Sequence, residues 1–449
     1  MDDLSCNLYF LARVLVILIP LLLASLKLRT TMRKHKPRLP PGPWRLPVIG
    51  HLHHLAKTPL IHRALADLAR RCNAPVMYLR LGELDAVVVS SAAAAGEVMR
   101  THDVAMATRP MSATVRATAA GGLGIAFSPY GERWRELRKL SAMELLSASR
   151  VRSFRAVRED EATSLVAGIA AAACPPGGEL VNVTARVAAS VSDSALRAMM
   201  GERFERREEL LETITQVLKI GTGFNMGDLF PSSRLVAAID GTVRIAQAMQ
   251  RKLFQLVDYA IEQHRERRSG PSAATDAEED EHLLDVLLRI HVEGGLGCSL
   301  HEPCKILGYD VLKGTIVLVN AWAICRDPKY WDEPEVFKPE RFEEGATDFM
   351  GTDFHYTPFG AGRRICPGIA FALANVELVL AALLFHFDWH LPPGVTPSEL
   401  DMAEEMGVTL AASRKFQIKF IPFSKRCKGG DNPRTGTPVT VVDVLAELP

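Results

Sequence analysis

The chain has 449 residues, 48% of them hydrophobic, which is ample for one large globular core, although length alone would allow two or three domains. Lysine plus arginine (53) almost balances aspartate plus glutamate (52), leaving a net charge of +1 and no global field directed at nucleic acid or an acidic substrate. Eight cysteines, at 6, 72, 174, 298, 304, 325, 366 and 427, contain no CxxC pair, so neither a disulfide framework nor a strong zinc site is indicated and a reducing compartment fits best.

Leu8 to Leu26 is apolar except for Arg13, Pro20 and Ser25. As a helix it would span roughly the ~30 Å hydrocarbon layer of a bilayer. Asp2 and Asp3 precede it, while Lys27, Arg29, Arg33, Lys34, Lys36 and Arg38 follow with no acid among them. This asymmetry predicts an uncleaved anchor over 1–26 with the bulk of the protein in the cytosol; a signal peptide would carry its basic cluster on the other side. Residues 27–50 end in Pro40-Pro41-Gly42-Pro43, Pro47 and Gly50, a stiff hinge between membrane and body.

Val76 to Leu81 and Ala86 to Ser90 read as two short strands about a Gly-Glu-Leu-Asp turn. Pro129 to Gln263 is mostly helical in pattern, with breaks near Cys174-Pro175-Pro176-Gly177 and Phe230-Pro231-Ser232. Ser269 to Asp280 is a solvated polar loop. Ile306 to Asn320 returns to β character, and Ser424 to Pro449 reads as an appended tail. His51, His53 and His54 are expected as turn and surface residues. Cys298, His301 and Cys304 recur every third residue with Cys325 beyond, a soft donor set that could suit zinc but lacks a conventional spacing.

The segment Phe359-Gly360-Ala361-Gly362-Arg363-Arg364-Ile365-Cys366-Pro367-Gly368 precedes the long apolar run Ile369 to Phe387, expected to be a buried helix. Glycines at 360, 362 and 368 would let the backbone turn tightly and approach a flat cofactor. A cysteine just before a helix start sits at the positive end of the helix dipole, which favours the thiolate. Arg364 offers a fork suited to a carboxylate. The bland alternative is a glycine-rich turn with a buried structural cysteine.

This segment resembles the haem-binding loop of cytochromes P450, matching Phe-x-x-Gly-x-Arg-x-Cys-x-Gly at each fixed position. Trp134 and Arg138, four apart on one helix face, resemble the family's Trp-x-x-x-Arg helix. Pro339-Glu340-Arg341-Phe342 resembles its Pro-Glu-Arg-Phe element, and the details match the plant microsomal A-type group. The resemblance implies a mainly α fold with a small β region after one transmembrane helix, covering about 51–423. It implies haem b held by Cys366 as axial ligand, with Phe359, Gly360, Gly362, Arg364 and Gly368 around it and Trp134, Arg138 and Arg364 reaching haem propionates. It also implies O2 insertion into a small apolar plant metabolite, electrons from NADPH through cytochrome P450 reductase, and an endoplasmic reticulum membrane location. The loop Arg109 to Phe127 would contact substrate, or else be an ordinary surface loop.

Two family elements are missing from the pattern: the central helix with its acid and threonine, and the Glu-x-x-Arg helix that pairs with Arg341. Glu97–Arg100, Glu132–Arg135 and Glu262–Arg265 spell the latter by chance, too early in the chain. Roughly a hundred residues, three or four helices, are expected to be absent near Leu300/His301, as from a skipped exon or a faulty gene model. Arg341 should then be exposed or joined to Glu340 or Glu343. The competing functional reading is a catalytically silent membrane protein of this lineage.

Overall fold

A computed structural model describes residues 37–268 apart from 59, 123, 174–179, 202 and 223–224, residue 283, residues 304–390 apart from 344–346, and residues 396, 404–405, 411–412 and 417–422. The anchor at 1–26, the segment 284–303 with Cys298 and His301, and the tail at 424–449 lie outside these. Most of what is described is helical. The helices that position the site are α1 (Ile61–Arg71), the short α2 (Ala113–Thr118), α3 (Glu132–Leu140), α4 (Arg155–Ala173), α5 (Val183–Met200), α6 (Arg207–Thr222), α7 (Thr242–Arg268) and α8 (Ile369–His386).

The small β region begins with β1 (Val76–Leu81) and β2 (Leu84–Val89), an antiparallel pair in the register Val76↔Val89 to Leu81↔Leu84. The connection is tighter than the four-residue turn expected from sequence, because Gly82 adopts φ +60 and closes the hairpin early. Successive side chains point to opposite faces. Met77, Leu79, Ala86 and Val88 therefore pack on Ala64, Leu65 and Leu68 of α1, while Val76, Val87 and Val89 meet Ala94, Ala95, Val98 and Ile324 on the other side.

The third strand of this sheet comes from far along the chain. Ile316–Val319 pairs in parallel with β2, Val87 opposite Val317, so the stretches before and after residues 269–303 share one sheet. The short pair Cys304–Ile306 and Tyr309–Val311 precedes it, turning at Leu307 (φ 45) and Gly308 (φ 76). A second sheet orders Leu180–Asn182, Gln417–Pro422 and Phe387–His390; its first strand interrupts a region that reads as helical in sequence. Asn182 then opens α5 by accepting from the Ala185 N–H at 3.1 Å, and Gly201 (φ 89) closes it.

His51 departs from its expected surface position. It is buried (2% exposed), with Nδ1 accepting from the Arg80 N–H at 2.6 Å and Nε2 lying 3.0 Å from the Pro43 carbonyl. Those two contacts fix a neutral ring with its proton on Nε2, and burial pushes its pKa down.

Helix α8 also differs from expectation. The helix forms over Ile369–His386, but only one face is buried: Leu378, Val379, Ala382 and Leu383. Of these, Val379 and Leu383 pack with Leu165 and Ile169 of α4. Val376 (58% exposed), Leu380 (52%) and Leu384 (61%), spaced four apart on one stripe, face outward. By length and composition it is the one described helix that could cross a membrane, yet its inner face is committed to α4. The described residues cover its inner face and leave the outer stripe exposed. Leu383→Ala should therefore cost about 2–5 kcal/mol through cavity formation. Leu380→Gln should change stability by no more than about 0.5 kcal/mol. Urea unfolding of both variants tests this.

Candidate haem-thiolate site

Cys366 lies in the loop directly before α8, two residues ahead of the residue that caps the helix. Its N–H donates to the Phe359 carbonyl at 3.0 Å, and the Ile365 N–H to the Gly362 carbonyl at 3.1 Å, so the loop folds back on itself. Gly362 (φ +65) permits this: a Cβ there would lie 2.0 Å from the Met99 carbonyl oxygen. Gly360 (φ +72) meets no neighbour and is required by conformation alone. Gly368 is not in the left-handed region. A Cβ there would sit 3.9 Å from the Cys366 sulfur, an ordinary contact distance. The thiol is unpaired and half-buried, and Phe359 stands against Phe349 with ring centroids 6.3 Å apart.

Three arginines converge beside this loop. Arg364 donates from Nε to the Ala107 carbonyl (2.5 Å), from Nη1 to Ile125 (3.1 Å) and from Nη2 to Ser128 (2.6 Å), while its plane lies 4.4 Å from the Trp134 ring centroid. Arg138 donates to the Ile365 carbonyl, next to Cys366. Arg109 lies over Phe127. Burial, then repulsion from Arg109 and Arg138, brings Arg364 down to about 10. Burial lowers Arg138 and Arg109 too, and for Arg138 the nearby Cys366 sulfur works in the opposite direction. Among the described residues no carboxylate pairs with any of the three. The adjacent Arg363, by contrast, holds Asp103 at 2.9 Å. Carbonyl dipoles satisfy N–H groups but cancel no net charge, so the cluster keeps its positive charge.

Trp134 is buried; its Nε1–H donates to the Ile125 carbonyl at 3.1 Å and its ring lies under Arg364. One sequence expectation needs correction. Arg341 is neither exposed nor paired with Glu340 or Glu343. It is half-buried and gives its fork to four backbone carbonyls, those of Asp332 (2.7 Å), Val336 (2.9 Å), Lys338 (3.0 Å) and Glu333 (3.2 Å). It borders a cavity of about 290 Å3 that is also lined by Cys325, Trp331, Phe337 and Tyr356. For zinc, the described residues hold no cluster of three donors.

Sequence reasoning missed Ala107, Ile125 and Ser128, whose contribution is backbone carbonyls and so leaves no mark on residue type. Arg364→Lys keeps the charge and loses the fork. Hydrogen bonds to charged groups contribute ~1.5–3 kcal/mol each and are not additive. The variant should lose about 2–4 kcal/mol overall and cleave faster with trypsin after Arg116, both measurable on the full chain.

Comparison with known proteins agrees with this geometry. The sequence profile of the family described as Cytochrome P450 matches residues 40–297 and, in a separate piece, 287–420. Ent-cassadiene hydroxylase of Oryza sativa subsp. japonica is 37% identical over 477 aligned positions that cover 86% of this chain and 92% of that protein. Salviol synthase of Salvia pomifera is 36% identical over 494 positions (90% and 95%), and zealexin A1 synthase of Zea mays 33% over 488 (89% and 95%). For the first, 86% of 449 residues is about 386, against 477 aligned positions, so about ninety positions of the relative face gaps in this chain. With its profile match, these relatives and the cysteine loop, the chain belongs to the cytochrome P450 family, as a plant-type monooxygenase.

Proposed function

We propose that this chain carries the haem-holding half of a monooxygenase that inserts one oxygen atom of O2 into a small apolar molecule of the plant secondary-metabolite kind. The observation that carries the reading is the acid-free cluster of Arg109, Arg138 and Arg364 beside an unpaired cysteine sulfur. That set fits haem b, which offers one iron for a sulfur ligand and two carboxylates for arginines. Cys366 would be the axial ligand, favoured as thiolate by the start of α8. Arg138 and Arg364 would meet the propionates, with Trp134 backing Arg364. Phe359, Gly360, Gly362 and Gly368 would shape the loop. Bound haem supplies the iron chemistry by which O2 is reduced and split; the chain holds it, orients it and surrounds it with charge.

The hydroxylase and synthase names of the relatives, ranging from ent-cassadiene to zealexin A1, support an apolar substrate class and single out no one member of it. In this reading residues 1–26 anchor the protein in the endoplasmic reticulum membrane, 27–50 form the hinge, 51–423 form the catalytic body, and 424–449 are an added tail. Electrons come from NADPH through a reductase.

A second reading is supported by the two-piece profile match and the roughly ninety unmatched positions. It holds that a segment near 300/301 is missing, that the chain lacks its oxygen-activation acid and threonine, and that it is catalytically silent. The uncovered stripe of α8 and the acid-free Arg341 support it as well. Proton delivery by positioned groups contributes ~10²–10⁴ in rate, so haem binding and turnover part company.

Three measurements follow. Protoporphyrin IX should bind at least tenfold tighter than its dimethyl ester, a difference of about 1.4 kcal/mol, and Arg138→Gln with Arg364→Gln should narrow that gap. Equal affinity would refute the propionate roles. Reduced, carbon monoxide-treated protein should show a thiolate-type band that Cys366→Ser abolishes. Separately, reductase-driven turnover should be at background for the 449-residue chain and should return when the corresponding segment of ent-cassadiene hydroxylase is inserted at 300/301. Robust coupled oxidation by the present chain would remove the second reading.

A further inference from the structure

The segment 109–127 packs on α6 and α7 through α2 and is bracketed by carbonyls held by a single guanidinium: Ala107 before it, Ile125 and Ser128 at its end, all on Arg364. Its middle is α2, a helix of six residues. So short a helix has little stability of its own, and its first N–H groups need partners. Ser112 accepts from the Val115 N–H at 3.2 Å. The Thr114 N–H is taken by a residue 114 positions away: it donates to Asp228 Oδ1 at 3.0 Å. Thr114 itself is buried, with 1% of its surface exposed, so no solvent would replace that acceptor.

Asp228 is itself firmly placed. It belongs to the turn Met226–Leu229, and Asn225 reaches its Oδ2 at 3.4 Å while donating to the Ile220 carbonyl of α6 at 3.1 Å. The Gly227 N–H donates to Asp240 at 3.3 Å. The β1–β2 turn grips the same knot, since the Glu83 N–H donates to the Leu229 carbonyl at 2.9 Å and the Ser232 N–H donates to the Glu83 carboxylate at 2.9 Å. On the other side of α2 the backbone turns through three consecutive left-handed residues, Ala120 (φ 49), Gly121 (φ 69) and Gly122 (φ 84). The helix is thus tied to a hydrogen-bonded knot at its start and runs into a left-handed corner at its end.

We propose that Asp228 is a positioning residue: its carboxylate fixes α2, and through α2 the shape of the 109–127 segment and the size of apolar molecule the protein accepts. This rests on the reading that 109–127 faces substrate. The test uses the full chain with Asp228→Ala and Asp228→Asn. Asparagine keeps an acceptor for the Thr114 N–H and gives up only the long contact from Asn225. Hydrogen exchange across 113–118 should accelerate at least tenfold in Asp228→Ala and stay within about threefold of the parent in Asp228→Asn. The Cys366 N–H should be unaffected in both.

In the same samples, naphthalene and the larger pyrene are titrated by fluorescence. The ratio of their affinities should shift at least threefold in Asp228→Ala and be restored in Asp228→Asn. The uncovered apolar stripe of α8 is common to all three proteins and drops out of that comparison. Equal exchange in the three proteins overturns the tether, and altered exchange with an unchanged probe ratio overturns the role in selection. Neither measurement needs haem or turnover, so a missing carbon monoxide band, which would count against the monooxygenase reading, is a separate result.

Discussion

Arg364 is the interaction on which the site depends. Its guanidinium joins Ala107, Ile125 and Ser128 through their carbonyls, and Trp134 through its ring, so three stretches of chain meet at one side chain that lies two residues before Cys366. Arginine alone among side chains can do this, because its five N–H groups radiate in a plane and its charge survives burial. The structure loads one residue with two tasks. Holding carbonyls positions the loop and leaves the positive charge uncancelled, and that uncancelled charge, shared with Arg109 and Arg138, is what suits the place to an anion. A carboxylate in the chain at this point would satisfy the arginines more cheaply and close the site.

Parts of this were legible in the sequence, for identifiable reasons. The cysteine loop declares itself because close approach and positive φ demand glycine, as at Gly362 against the Met99 carbonyl. The β1–β2 pair reads correctly because its alternation is set by two packed faces. The three carbonyl partners of Arg364, the four of Arg341 and the acceptor of the Thr114 N–H were illegible, since any residue type supplies a backbone carbonyl or N–H. His51 shows the same blindness from the other direction. A histidine next to a proline-rich hinge looks like a surface residue until the two backbone groups that bury it, at Pro43 and Arg80, are seen to come from different elements.

Asp228 is intermediate. Asp-Leu-Phe-Pro is recognisable as a family detail, but nothing in those letters tells that the carboxylate serves a helix 114 residues earlier. Likewise Glu97, part of a chance Glu-x-x-Arg match in the sequence, accepts from the Leu307 N–H at 2.5 Å and ties the segment before 269–303 to the one after it. Long-range side chain-to-backbone bonds of this kind have no periodicity, which is why pattern reading finds helices and strands more readily than the ties between them.

The distribution of what is satisfied and what is not separates two layers of the protein. Around Cys366 the hydrogen bonds close locally, between segments 103–138 and 359–366. Other demands are left unmet among the described residues. Val376, Leu380 and Leu384 present an apolar stripe to solvent, Phe337 is 93% exposed, and the buried Trp331 Nε1–H has no acceptor among the described residues. Arg341 makes do with carbonyls where a carboxylate would cancel its charge. Burying such a stripe would stabilise the fold by ~25 cal/mol for each Å2 of apolar area removed from water. A covering layer would also supply whatever groups face the sulfur from the other side. The residues that would grip a cofactor and those that would use it are therefore separable in this chain, because the first set sits on elements that fold against one another and the second belongs to whatever fills the uncovered faces.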